Sequence, residues 1–206
     1  MRETRRRPVV GLCAALLAAC FTLAVPIDAA ATHNPWHPSR AQMRRLQNLE
    51  PYIRYFSSLD YGIGYANVPA DYIRALILTE SGADRHAYSP KGARGVTQII
   101  PSTAMRVVED LASMGRDFLF VDEGIFDSFQ ADDLYNPALN ILIACYLTAN
   151  YHLQYEGRTD LVVSAWNAGP GAVARYGNAP PPYPETRGAI RRIKYYMDFF
   201  EGLQVN

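Results

Sequence analysis

The chain predicts a mostly helical domain with little or no β-sheet, and three observations carry that expectation. Period-two alternation of apolar and polar residues is almost absent. Several stretches of ten or more residues instead repeat their apolar side chains at helical spacing. Proline and glycine then punctuate those stretches where helices should begin and end. At 206 residues, 49% hydrophobic and 19% charged, the chain suits one globular domain and excludes a disordered or fibrous class.

Residues 1–31 are expected to be a signal peptide outside the fold. "MRETRRRP" is a basic opening, "VVGLCAALLAACFTLAV" an apolar centre, and Ala29 to Ala31 offer small residues for cleavage. "LAAC", ending at Cys20, resembles a lipobox and offers lipid attachment as the alternative, although the apolar "FTLAV" that follows suits a lipidated terminus poorly. The first helix is read in "SRAQMRRLQNLEPYIRYFSSL", divided or kinked at Pro51. The leader and this first part, 32–51, are set apart from a main domain over 52–206. A second helix, "VPADYIRALILTES", starts with Pro69 as its first residue and stops at Gly82. A glycine-punctuated loop follows, then the helix "PSTAMRVVEDLASM".

Residues 115–136 fit a loop, a short hairpin or a broken helix. "PALNILIACYLTANYHLQY" is apolar nearly all round, as a central buried helix would be. "TDLVVSAWNAG" predicts a shorter helix that Thr159 caps and Gly169 ends. The last helix follows the proline-rich "GNAPPPYP".

Formal net charge is zero, which gives no sign of a nucleic-acid partner. Without residues 1–31 the chain keeps 16 basic and 18 acidic side chains, a net charge of −2. Cys145 is then the one cysteine left, so packing rather than an internal disulfide must hold the domain. His33 and His37 have helical spacing, but Pro35 lies between them, and no metal or other cofactor is expected.

Glu80 stands out. Ile73, Leu76 and Ile77 precede it by seven, four and three residues and share its helix face. A carboxylate on the core face of a helix C-terminus meets desolvation and the negative end of the helix dipole, both of which disfavour the anion. A raised pKa suits a general acid working near neutrality. The structural alternative is an ion pair with Arg85 or Arg94.

The surrounding stretch, "ESGADRHAYSPKGARGVTQIIPSTA", resembles the soluble lytic transglycosylase (SLT) catalytic domain family. Three further segments match that family in order: "YNPALNILIACYL", "SAWNAGPGAVARYG" and "PPYPETRGAIRRI". The resemblance covers about residues 52–200 and implies a lysozyme-like (α+β class) helical domain with a substrate cleft. It implies peptidoglycan as substrate and cleavage of the β-1,4 bond between N-acetylmuramic acid and N-acetylglucosamine. Glu80 would protonate the glycosidic oxygen, then act as base toward the muramoyl 6-hydroxyl, which closes on C1 as a 1,6-anhydro sugar. One carboxyl suffices because the substrate supplies its own nucleophile.

The same resemblance makes Ser81, Ser89, Gln98, Trp166, Asn167 and Glu185 candidate substrate-binding residues. Against this, Ser81 at a helix end can simply bond backbone. Three positions depart from the family pattern. Ala83 replaces an aromatic, Val96-Thr97 replace a flexible Leu-Met wall, and Trp166 replaces a tyrosine. A goose-type lysozyme-like hydrolase and a wall-binding or assembly protein with a degenerate site are the competing readings. A monomer in the periplasm or cell envelope is expected, and a small single-domain member suits service to an envelope-spanning secretion or conjugation apparatus.

Overall fold

The computed structural model describes residues 34–64 and 68–204. The expected signal peptide with its cleavage region, and Cys20, lie outside the described residues. From Pro35 onward the fold is a set of helices wrapped around a central one. Its extended pairings include the isolated bridges Tyr88 with Arg94 and Arg94 with Ile99, and no strand forms among the described residues. The mostly helical expectation holds.

Helix α1 (Arg40–Ser57) starts at a reciprocal cap: the Ser39 hydroxyl accepts from the Gln42 N–H, and the Gln42 side chain accepts from the Ser39 N–H. Pro51 does not divide it. An interior proline costs about 3 kcal/mol or more. Burial of Leu46, Leu49, Ile53 and Phe56 on one face offsets this, each worth about 1.5–3 kcal/mol. Helix α2 (Ala70–Glu80) begins one residue later than expected, with Pro69 as its N-cap. Tyr72, Ile73, Leu76 and Ile77 are completely buried. The helix ends because Gly82 and Ala83 turn left-handed at φ 60° and 65°.

Helix α3 (Pro101–Ser113) opens on its proline. The segment left open by the sequence resolves into a short α4 (Gly124–Ser128) and a 3₁₀ turn over Ala131–Tyr135. The central helix is α5 (Pro137–Gln154), capped by Asn136, whose side chain accepts from the Ala138 N–H. It packs against α1, α2, α3 and α6, and Cys145 is fully buried within it. Helix α6 (Thr159–Ala168) departs from the predicted cap. Thr159 lies inside the helix, Arg158 holds the N-cap position, and no side chain caps it. Gly169 ends it, and a further helix, α7 (Pro170–Arg175), follows at once where the sequence suggested none. Helix α8 (Pro184–Gln204) then packs along α2 and α6. Among the described residues, no helix is long and apolar enough to cross a membrane.

Candidate active site

Glu80 is the last residue of α2, half-buried, and its carboxyl is pushed up to about 7. Burial is the largest cause. The Arg192 guanidinium pulls the other way, and the Glu185 carboxylate adds to the rise. The ion-pair alternative does not form: Arg94 pairs with Asp132 at 2.7 Å, and Glu80 makes no ion pair among the described residues. An acid held protonated near neutral pH, between one cation and one anion on the facing helix α8, can both give and take a proton.

The loop after Glu80 is held by part-buried polar ties. The Ser81 hydroxyl donates to the Val96 carbonyl at 2.7 Å and to the Ile77 carbonyl at 3.3 Å. Ser81 thus joins the end of α2 to the far arm of the loop, with its hydroxyl engaged on backbone. Ser89 closes the turn between them, its hydroxyl accepting from the Ala93 N–H at 3.0 Å. Gln98 sits at φ 55°, and its amide donates to the carbonyls of Ala87 and Gly95. Gly95, at φ 78°, passes so close to the Leu134 carbonyl and the Asn140 amide that a Cβ would collide with both.

Asn140 is the residue that sequence reasoning missed. Completely buried on α5, it accepts from the Thr97 N–H and hydroxyl and donates to the carbonyls of Arg94 and Leu134. This corrects the expectation for Val96-Thr97. Both are fully buried, so they are core and brace rather than a wall facing substrate. Thr97 supplies a hydroxyl because Asn140 has a lone pair to satisfy.

A cleft of about 590 Å³ opens beside this loop, and Gln98, Trp166 and Asn167 all line it. Asn167 is fixed by the Thr186 hydroxyl, which donates to its side-chain oxygen at 2.7 Å. Glu185, next to Thr186, is largely exposed and meets the Lys91 ammonium at 3.4 Å. Gln98, Trp166 and Asn167 therefore share the cleft. Glu80 and Glu185 do not line it but are electrostatic neighbours of each other, while Ser81 and Ser89 shape the loop. Tyr88, Tyr176 and Tyr183 are exposed, the last two in edge contact at 5.8 Å.

Comparison with known proteins identifies the family of the fold. The Transglycosylase SLT domain family matches residues 64–182. The chain belongs to that family. It is similar to the soluble lytic murein transglycosylase of Escherichia coli strain K12, at 26% identity over 145 residues, covering 65% of this chain and 21% of the relative. Membrane-bound lytic murein transglycosylase C of Glaesserella parasuis is 32% identical over 138 residues, covering 64% of this chain and 33% of the relative. The fold is similar to the crystal structure of the 70 kDa soluble lytic transglycosylase from Escherichia coli. There the TM-score is 0.58 at 26% identity, covering 77% of this chain and 24% of the other. The chain thus spans about a fifth to a third of the length of these relatives.

Arg192 is the second residue the SLT motifs did not single out. It is half-buried on α8, seven residues beyond Glu185, and its Nε is buried without a hydrogen-bond partner. The signal available in sequence was weak: an arginine at that helical spacing from a motif acid reads as a solvated face until α8 is docked on α2.

Proposed function

We propose that this SLT domain cleaves peptidoglycan as a lytic transglycosylase. It would break the β-1,4 bond between N-acetylmuramic acid and N-acetylglucosamine, with Glu80 as its one acid and base. The reading rests on the Glu80 carboxyl at the end of α2, which burial holds near 7, in a domain whose cleft carries an amide, an indole and a carboxamide.

Glu80 gives its proton to the glycosidic oxygen as the bond to C1 breaks. The resulting carboxylate is favoured by Arg192 and opposed by Glu185, so it forms readily and remains basic enough to accept a proton. It takes that proton from the muramoyl 6-hydroxyl, whose oxygen bonds to C1. The product is a 1,6-anhydro sugar, no water is consumed, and Glu80 returns to its starting state. Trp166 offers a ring for stacking on a sugar, and Gln98 and Asn167 offer amides for N-acetyl groups. Ser89 and Ser81 serve by holding the loop. Residues 1–31 act as an export leader to the periplasm or cell envelope, with lipid attachment at Cys20 as the variant. The working form is a monomer, serving an envelope-spanning secretion or conjugation apparatus.

Mass spectrometry of fragments released from purified sacculi tests the reading. Anhydromuramoyl ends, lighter by one water than hydrolytic ends, are expected from the wild type. Glu80→Gln should lower release by about 10⁴-fold, since general acid–base assistance contributes about 10²–10⁴-fold and one group serves both steps. Reducing ends alone would make the domain a goose-type lysozyme-like hydrolase. Tight sacculus binding without any release would make it a wall-binding protein.

A further inference from the structure

A second concavity, about 1040 Å³, lies between α1, the start of α2 and the end of α8. It shares no lining residue with the cleft. Asp71, at its edge, is nine residues before Glu80, about 13 Å along the helix axis. Neither the motifs nor the chemistry at Glu80 gives this groove a task.

Its floor is apolar and its rim is cationic. Leu46 and Phe200 are buried at the base, Met43 and Phe199 are half-buried, and Leu203 is 55% exposed at the lip. Four arginines line it against two acids, Glu50 and Asp71. Arg54 and Arg74 both bond Glu50, and Arg74 also bonds Asp71. That leaves Arg40 and Arg44, exposed and one helical turn apart, with no ion pair among the described residues. The chain as a whole carries no net charge, so this local excess is not a reflection of composition.

We propose that the groove docks an acidic amphipathic helix presented by a partner protein. Charge complementarity sets its sign: carboxylates four residues apart on the incoming helix would face Arg40 and Arg44. The apolar floor requires an apolar stripe behind those carboxylates. Shape sets the form. From Arg40 to Arg54 the wall of α1 runs about 21 Å, the length of a helix of roughly 14 residues. A groove lined along α1 by the start of α2 and the end of α8 accepts a rod, whereas a flat anionic bilayer would touch the rim arginines and leave the floor uncovered. The site would tether the enzyme to an assembly while leaving the cleft free.

The test uses three 14-residue synthetic peptides and the full chain with residues 1–31 removed. One peptide is helical with leucines on one face and flanking glutamates, one carries lysines in their place, and one is broken by a central proline. Fluorescence anisotropy should show the glutamate peptide binding at least tenfold more tightly than the other two, with affinity falling as salt rises. Arg40→Gln with Arg44→Gln should weaken it at least tenfold while leaving sacculus cleavage and thermal stability unchanged. Met43→Glu should do the same from the floor. Failure of the glutamate peptide to bind, or equal binding of the lysine peptide or the arginine variant, would overturn the proposal. So would arginine-dependent binding to phosphatidylglycerol vesicles without peptide binding, which would make this a membrane-facing surface.

Discussion

Glu80→Gln should change the pH dependence of stability as well as activity. In the folded chain burial holds this carboxyl at about 7, against an ordinary value of 4.5. At about 1.36 kcal/mol per tenfold, that gap corresponds to about 3 kcal/mol. Glu80 is only half-buried, and solvent screening reduces the figure to about 2 kcal/mol. The folded-state pKa lies above the unfolded one. The contribution is therefore fully present below about pH 4.5 and is lost as pH rises through about 7. Glutamine does not titrate, so the variant escapes this loss. Urea unfolding of both proteins at pH 4.5 and pH 8 isolates the effect, because every other titrating group is common to the two and cancels. Relative to wild type, the variant should gain about 2 kcal/mol between the two pH values, or about 4–8 °C in melting temperature. A difference between the proteins that stays constant across this range would refute the reasoning. Glu80 would then be ionised at neutral pH, with no proton to give.

The neighbours of Glu80 should move its titration in opposite directions. Removing the cation in Arg192→Gln should shift the alkaline limb of the cleavage profile upward by about 0.5–1 pH unit. Glu185→Gln, by removing an anion, should shift it downward and lower activity without abolishing it. Asn140→Leu should cost at least about 3 kcal/mol in urea unfolding, because buried donors and acceptors of Thr97, Arg94 and Leu134 lose their partner. A loss under about 1 kcal/mol would show that the loop is held by something else. Gly95→Ala should destabilise by about 2–4 kcal/mol, since its Cβ meets the Leu134 backbone at a positive φ.

What could be read from the sequence was local. Glu80 shares its face with Ile73, Leu76 and Ile77 within two helical turns, and all three prove fully buried. Pro101 and Pro137 each open a helix at its first turn, and Gly169 ends one. These signals depend on a few consecutive residues and the fixed geometry of a helix. Pro51 does not divide α1 because the contest was not local: the buried face of α1 against α2 and α5 outweighs one interior proline. Thr159 was misleading. It carries a capping hydroxyl, but the cap position falls one residue earlier, at Arg158, and no side chain caps the helix. The segment 115–136 gave little because few of its residues are buried, so no periodic pattern was imposed on it.

Beyond the motifs, the site depends on ties that cross large stretches of chain. Thr97 and Asn140 are 43 residues apart, and Arg94 and Asn140 are 46 apart. In the sequence Thr97 looked like a polar intrusion into an apolar wall. In the fold Asn140 turns it inward, and the adjacent residue Gln98 is forced to φ 55°, lining the cleft. Gly95 lets that loop lie flat on α5, which only a residue without a Cβ permits. The loop's position relative to Glu80 is therefore set by a core amide on α5, and the poise of Glu80 by its burial, adjusted by two charges on α8. Neither helix contributes the proton, yet moving either would alter where the proton is held and when it is released.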